Sequence, residues 1–187
     1  MTHAPQLCLG TVQFGLPYGI TNQAGQVSEV EVRRILDLAA GSGISLLDTA
    51  QAYGSSETVL GYCWPKNAPR RLITKLSAGA SQQTWEQSLI NSLKRLQVPK
   101  LDGLLLHSAS DLLAPDGAAL LDWMEGLRDR GLVDRIGISI YEASELEGLP
   151  LDRLQLVQLP LSVYDQRLIS DGTVGRFQDL GIAVHVR

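Results

Sequence analysis

The chain has 187 residues, of which 44% are hydrophobic and 19% are charged, so it reads as a globular protein with a sizeable core. A net charge of -4 and a pI near 5.3 argue against nucleic acid or an anionic membrane as a partner. Cys8 and Cys63 lack metal or disulfide spacing, and no signal peptide or membrane span is evident, so we expect a soluble, cytoplasmic protein.

Short apolar runs alternate with longer segments of helical period along the chain. Residues 7–11 form the first predicted strand, and a glycine-rich loop follows it. Ser28 and Glu31 then match a capping box, in which the two side chains bond free amides at the start of a helix. The later predicted elements are strand 44–48, a short helix near 56–62, strand 71–75, helix 82–97, strand 101–106, helix 117–130, strand 135–139, a short helix near 143–148, strand 154–159, helix 167–179 and strand 182–186.

This alternation predicts a parallel sheet with helical crossovers. A doubly wound sheet would carry Gly-x-Gly-x-x-Gly after its first strand, and residues 9–15, Leu-Gly-Thr-Val-Gln-Phe-Gly, do not match it. Polar groups at the ends of successive strands favour a barrel, which needs eight strands and about 250 residues. We therefore predict an α/β fold of the (β/α)₈ TIM-barrel type, incomplete, with seven strands and six helices in a single domain, 1–187, that lacks the eighth βα unit.

Four titratable side chains fall where apolar strands end. Asp48 closes the run 45–47, and Tyr53 follows five residues later. Lys75 and His107 end the next two strands. Each alone has an ordinary explanation, as a turn residue, a loop aromatic, a solvated strand end or a rim residue. Because the carboxyl ends of parallel strands lie on one side, their joint placement predicts a shared pocket.

These residue types suit the reduction of a carbonyl group. Reduction requires hydride on carbon and a proton on the developing alkoxide. A free tyrosine has a pKa of about 10, and we expect a nearby lysine, held by an aspartate, to lower it. A histidine beside the oxygen can polarise the carbonyl. No side chain supplies hydride, so a reduced nicotinamide must.

The chain resembles the aldo-keto reductases. Residues 47–57, Leu-Asp-Thr-Ala-Gln-Ala-Tyr-Gly-Ser-Ser-Glu, closing at Leu60-Gly61, are similar to that family's signature. The other segments that carry the resemblance are residues 73–75 for its lysine strand, 92–96 and 101–107 for the approach to its histidine, and 137–139 and 157–158 for the strands that hold the nicotinamide carboxamide.

The resemblance implies a role for each matching residue. Tyr53 would be the proton donor, Lys75 and Asp48 would tune it, and His107 would orient the substrate carbonyl. The implied cofactor is NADPH, with NADH as the alternative, and the substrate is a small aldehyde or ketone. The implied cofactor-binding residues are Gly10, Thr11, Asp48, Ser139 and Gln158.

The chain departs from the family pattern in three places. Ile140 and Ser162 stand where the family commonly has asparagine. The family's region after strand seven, which grips the pyrophosphate and adenosine, has no counterpart in this sequence. We expect the two open strand edges to make the protein marginally stable, to pair it with a second copy or to aggregate it.

The alternatives to an active reductase are an impaired barrel and a metal-dependent hydrolase. The chain could be a catalytically impaired remnant of the barrel that cannot hold the dinucleotide and serves at most as an assembly partner. A metal-dependent barrel hydrolase would need clustered histidines, whereas His3, His107 and His185 are far apart in the sequence, so no metal is expected.

Overall fold

A computed structural model describes residues 6–187, and seven strands within them form a single sheet. Every neighbouring pair is parallel and the strand order follows the sequence, so β1 and β7 are the edges of the sheet within these residues. The strands are β1 (Cys8–Gly10), β2 (Leu46–Asp48), β3 (Arg71–Leu76), β4 (Leu101–Leu106), β5 (Val133–Ser139), β6 (Leu156–Leu159) and β7 (Ala183–Val186).

Helices connect the strands on the outer side of the sheet. The α-helices are α1 (Val12–Gly15), α2 (Glu29–Gly41), α3 (Ser56–Cys63), α4 (Trp85–Leu96), α5 (Gly117–Asp129), α6 (Arg167–Ser170) and α7 (Thr173–Asp179). Short 3₁₀ helices occupy Gln82–Thr84, Ala109–Leu113, Ala143–Leu146 and Leu151–Arg153.

Several predicted helices differ from the observed ones at their ends. The helix predicted at 82–97 begins as a 3₁₀ turn and becomes α4 only at Trp85. The helix predicted at 167–179 is divided into α6 and α7, because Gly172 adopts φ +83° between them, which is left-handed backbone that ends a helix. α2 begins at Glu29 as predicted, and the Ser28 hydroxyl accepts a hydrogen bond from the Glu31 N–H at 3.4 Å.

The sheet is strongly curled. Gln158 on β6 donates from Nε2 to Oδ1 of Asp48 on β2 at 2.9 Å, although three strands lie between these two. In a flat sheet, strands four positions apart would be separated by about 19 Å. The side chains on the inner face therefore meet across the interior, as they do in a barrel.

Hydrophobic residues pack on both faces of this curled sheet. The larger cluster lies between the sheet and the helices and includes Leu36, Leu89 and Met124. The smaller cluster fills the inside: Ile73, Leu105 and Leu156 are buried there, packed against Leu46 and Ala183. Seven parallel strands curled around an inner layer, with helices outside, confirm the predicted incomplete (β/α)₈ fold class.

In the part of the chain that the structure describes, no helix is long and apolar enough to cross a membrane.

Candidate active site

The polar side chains of the site form a layer directly above the inner apolar cluster. Asp48, Lys75 and His107 each stand two residues after a member of that cluster. Because alternate side chains on a strand share a face, all three point into the interior at the carboxyl ends of their strands. The structure thus brings together the four residues that the sequence predicted, with Tyr53 entering from the turn after β2.

Asp48 and Lys75 form a buried ion pair at the centre of this layer. Lys75 Nζ donates to the two carboxylate oxygens of Asp48 at 2.8 and 2.9 Å and to the carbonyl of Thr49 at 3.0 Å. The lysine side chain is 1% exposed, so burial lowers its pKa, and the neighbouring Asp48 opposes this change. The pair fixes the ammonium group 3.5 Å from the Tyr53 hydroxyl.

Tyr53 is half-buried, and its environment favours the protonated phenol. Burial raises the pKa of Tyr53 to about 12, the Asp48 carboxylate adds to the increase, and Arg187 opposes it. The expectation that Lys75 would bring this pKa below its usual value is therefore wrong. Lys75 is paired with Asp48 at 2.8 Å, and the Asp48 carboxylate favours the protonated phenol, which opposes the effect of the ammonium group.

His107 lies against Tyr53 at the mouth of the site. The two rings meet edge to face, with centroids 5.9 Å apart and planes at 88°. Burial lowers the pKa of His107, and the charges of Lys75 and Arg187 lower it further, so the imidazole is neutral at pH 7. A neutral imidazole retains one N–H that can donate to a carbonyl oxygen.

The side-chain amide of Gln158 lies in the site with only one of its two ends hydrogen-bonded. Its Nε2 donates to Asp48 at 2.9 Å and lies 3.3 Å from Nδ1 of His185, which fixes the orientation of the amide. Its Oε1 is buried and has no hydrogen-bond partner within the described residues. A buried acceptor without a donor is rare, and it points to a ligand N–H. Ser139, also buried, is paired with Gln158 in the register of β5 and β6.

Gly10 and Thr11 differ in what they can offer a ligand. A side chain added at Gly10 would meet nothing within 4 Å, so the backbone there borders open space above β1. Thr11 is buried, and its N–H and hydroxyl donate to the Asp48 carbonyl at 3.0 and 2.8 Å. The predicted role of both as backbone contacts for a cofactor ring stays a prediction.

A buried network that the sequence argument did not predict holds the turn that carries Tyr53. Glu57 is 2% exposed; it accepts from the Thr74 hydroxyl at 2.6 Å and forms an ion pair with Arg95 at 2.6 Å. These bonds tie the start of α3 to β3 and α4. Glu57 therefore positions the turn rather than acting on a substrate.

Gly15 allows the backbone of α1 to approach the Tyr53 turn. A Cβ at position 15 would lie 1.8 Å from the Tyr53 carbonyl oxygen and 2.4 Å from the Ser56 nitrogen. We expect Gly15→Ala to lower the free energy of unfolding by about 1–3 kcal/mol, because backbone atoms must shift to admit the methyl group. Urea denaturation measures this loss.

Gly126→Ala is the matched control for that substitution. Gly126 lies in α5, and a Cβ there meets nothing within 4 Å. We expect a gain of about 0.5–1 kcal/mol, because alanine is the better helix former. Equal effects of the two substitutions would show that the close approach at Gly15 has no energetic weight.

His185 and Arg187 are site residues that the sequence argument missed. Both share the inward face of β7 and its continuation with Ala183, which packs in the inner cluster. The alternation along residues 183–187 could have located them, because residues 183, 185 and 187 of an extended segment share one face. Among residues 6–187, no group of three or more histidine, cysteine, aspartate or glutamate residues could hold a metal ion.

Comparison with known proteins connects this geometry to one family. A model of the aldo/keto reductase family matches residues 6–186. An aldo-keto reductase from Mycolicibacterium vanbaalenii is 28% identical over 131 residues, which are 67% of this chain and 46% of that protein. The matching part of the chain thus spans about half the length of this curated relative.

Solved structures agree with the fold. PA4992 from Pseudomonas aeruginosa, named as a candidate aldo-keto reductase, is 24% identical with a TM-score of 0.78, over 96% of this chain and 71% of that one. An aldo-keto reductase from Klebsiella pneumoniae, solved in complex with NADPH, is 22% identical with a TM-score of 0.71, over 96% of this chain and 62% of that one. At these identities the structures show the fold alone. The family model covers nearly all of the described chain, and the protein belongs to the aldo/keto reductase family.

Proposed function

We propose that the protein reduces an aldehyde or ketone to an alcohol, with hydride from NADPH and a proton from Tyr53. NADH is the alternative donor. The observation that carries this proposal is the contact of the Tyr53 hydroxyl with Lys75, which Asp48 holds in place, beside the ring of His107. Family membership supports the same reaction class.

Tyr53 acts as the general acid. NADPH, when bound, supplies hydride to the carbonyl carbon. As the C=O π electrons move to oxygen, the Tyr53 O–H donates its proton there and becomes a phenolate. Lys75 Nζ, at 3.5 Å, can donate a charge-assisted hydrogen bond to this new anion and so stabilise it. Solvent then returns a proton to the phenolate.

His107 orients the substrate. Its neutral imidazole lies against the Tyr53 ring, so an N–H from His107 and the O–H of Tyr53 can converge on one carbonyl oxygen. Two donors directed at the developing oxyanion stabilise the transition state more than the ground state.

Gln158 and Ser139 suit a carboxamide. A primary amide carries N–H donors and a C=O acceptor, so it can donate to the unpaired Oε1 of Gln158 and accept from the Ser139 hydroxyl. The nicotinamide carboxamide has this chemistry. Asp48 is also proposed to contact the nicotinamide ribose. Its carboxylate accepts hydrogen bonds from Lys75 and Gln158 and so fixes the positions of both side chains.

Gly10→Val tests whether the open space above β1 is part of the cofactor site. Because nothing in the protein lies within 4 Å of a Cβ at Gly10, we expect valine to leave the unfolding midpoint nearly unchanged. The branched side chain would occupy the open space, and we expect the Kd for NADPH to rise at least tenfold, which corresponds to about 1.4 kcal/mol. Isothermal titration of both proteins with NADPH measures the change. An unaltered Kd would remove Gly10 from the site.

Direct titration tests the proposed function itself. NADPH and NADH are added to the protein while tryptophan fluorescence is recorded, and an aldehyde panel is then assayed for loss of absorbance at the nicotinamide wavelength. Saturable binding in the micromolar range with turnover supports the reductase. No binding at millimolar cofactor supports the alternative of an impaired barrel that cannot hold a dinucleotide.

A further inference from the structure

A basic cleft lies on the outer side of the sheet, away from the proposed reductase site. Its volume is about 520 Å³, which is in the range of small-molecule sites in proteins. Arg70, which lines it, directly precedes β3, whereas Lys75 stands near the carboxyl end of that strand. The cleft is therefore at the opposite end of the strands. Its polar and aromatic lining residues are Arg33, Tyr62, Trp64, Lys66, Arg70 and Gln97.

The positive charge in this basic cleft is not matched by negative charge. Three of the lining residues are basic and none is acidic, although the net charge of the protein is -4. Arg33 is paired with Glu29 at 2.7 Å. Within residues 6–187, no carboxylate forms an ion pair with Lys66 or Arg70. The basic cleft thus contains two cations that lack a counter-ion in the described chain.

Arg70 is the cation best placed to hold a ligand. Its side chain is partly buried, and this burial lowers its pKa with no carboxylate to oppose the change. Nη2 donates to the Gln97 carbonyl at 2.7 Å, which fixes the guanidinium group and leaves most of its five N–H donors free. Removing a cation from water without a counter-ion costs free energy, and a bound anion would offset this cost.

Two aromatic side chains give the basic cleft an apolar wall. Trp64 is buried, and its Nε1 donates to the Ala68 carbonyl at 3.0 Å, so the indole is held in one orientation. Tyr62 is exposed, and the Arg33 guanidinium lies over its ring, 5.0 Å from the centroid. Aromatic side chains beside free cations suit a ligand that joins an apolar part to an anionic group.

We infer that the basic cleft binds a small organic phosphate, with the phosphate on Arg70 and Lys66 and the organic part against Tyr62 and Trp64. A guanidinium binds a phosphate with two parallel N–H···O bonds, and an ammonium group adds a second positive charge. A phosphate monoester carries nearly two negative charges at pH 7, which matches the two unpaired cations.

The size of the basic cleft favours a small molecule over a protein partner. Eight residues line it, whereas a stable protein interface engages about 20–30 residues on each side. The inference is independent of the proposed reductase function, because none of the lining residues belongs to the proposed active site.

Phenyl phosphate is the probe for this site, because it joins a phosphate to a planar ring. Titration calorimetry should show saturable binding, tighter than that of inorganic phosphate or phenol, each of which carries only one of the two parts. We expect Arg70→Gln to raise the Kd for phenyl phosphate at least tenfold, because it removes a bidentate, charge-assisted contact. Lys66→Gln should raise it about two- to fivefold, because this side chain is exposed.

Arg128→Gln is the matched control for the loss of one positive charge. Arg128 is exposed on α5 and forms no ion pair among residues 6–187, so the Kd for phenyl phosphate should not change. Thermal unfolding of each variant checks its fold, and the exposed position of Lys66 keeps the test valid if Arg70→Gln does not fold.

Three results would overturn the inference. The first is the absence of saturable binding at millimolar phenyl phosphate. The second is a Kd that Lys66→Gln and a folded Arg70→Gln leave unaltered, because the phosphate would then bind elsewhere on the protein. The third is equal affinity for phenyl phosphate and inorganic phosphate, because the aromatic wall would then contribute nothing to binding. Loss of phenyl phosphate binding in the two variants, with Arg128→Gln unaffected, supports the site whether or not the protein reduces an aldehyde.

Discussion

Replacing Tyr53 by phenylalanine is expected to lower kcat for carbonyl reduction by about 10²–10⁴-fold, the usual contribution of a general acid. Phenylalanine keeps the ring that packs edge to face on His107 and removes only the hydroxyl 3.5 Å from Lys75. NADPH binding should therefore remain nearly unaltered. Steady-state kinetics with a saturating aldehyde, together with cofactor titration, measure both quantities.

The pKa of Tyr53 makes a second measurement on the same residue informative. Since this pKa is raised to about 12, the phenol holds its proton throughout the neutral range. The rate of reduction should consequently show no alkaline limb assignable to Tyr53 below the ordinary tyrosine value of about 10. Tyr62→Phe, on the exposed surface of α3, is the control and should leave kcat unaltered. A Tyr53→Phe enzyme with unaltered kcat would reassign the proton donor.

Replacing Lys75 by methionine is expected to lower the free energy of unfolding by about 3–5 kcal/mol and to depress the reduction rate. The substitution removes one partner of a buried pair and leaves Asp48 with an uncompensated negative charge. It also removes the cation beside the Tyr53 hydroxyl, so the phenolate formed by proton donation loses its stabilising neighbour. Urea denaturation and a pH–rate profile measure the two effects.

Lys100→Met provides the matched control for Lys75. Lys100 pairs with Asp134 at 2.9 Å, but both side chains are about half exposed, so its loss should cost about 0–1 kcal/mol. If the two lysine substitutions lower the free energy of unfolding equally, burial of the Asp48 pair carries no energetic weight. An unchanged pH–rate profile in Lys75→Met would remove Lys75 from its role beside Tyr53.

Much of the fold followed from the amino-acid pattern. β4 at Leu101–Leu106 matches its predicted range, because a short apolar run between two longer segments of helical period favours a buried strand. The irregular connections did not follow. α1 lies in a segment predicted as a glycine-rich loop, and its position depends on the close approach of Gly15 to the Tyr53 turn. Contacts between segments far apart in the sequence leave no periodic signal.

The sequence by itself determined which residues enter the site. Leu46 and Asp48, Ile73 and Lys75, and Leu105 and His107 are spaced two residues apart, so each polar group had to follow an inner apolar residue onto the same face. Only the tertiary structure decided how these groups are charged and which others join them. The pKa of Tyr53 depends on burial and on the balance between Asp48 and Lys75, and the stacking of Arg187 on Tyr141 joins the ends of two strands that are not neighbours. The pKa of Tyr53 and the contact between Arg187 and Tyr141 both depend on distances and solvent exclusion in the folded protein. No local run of residues encodes these quantities.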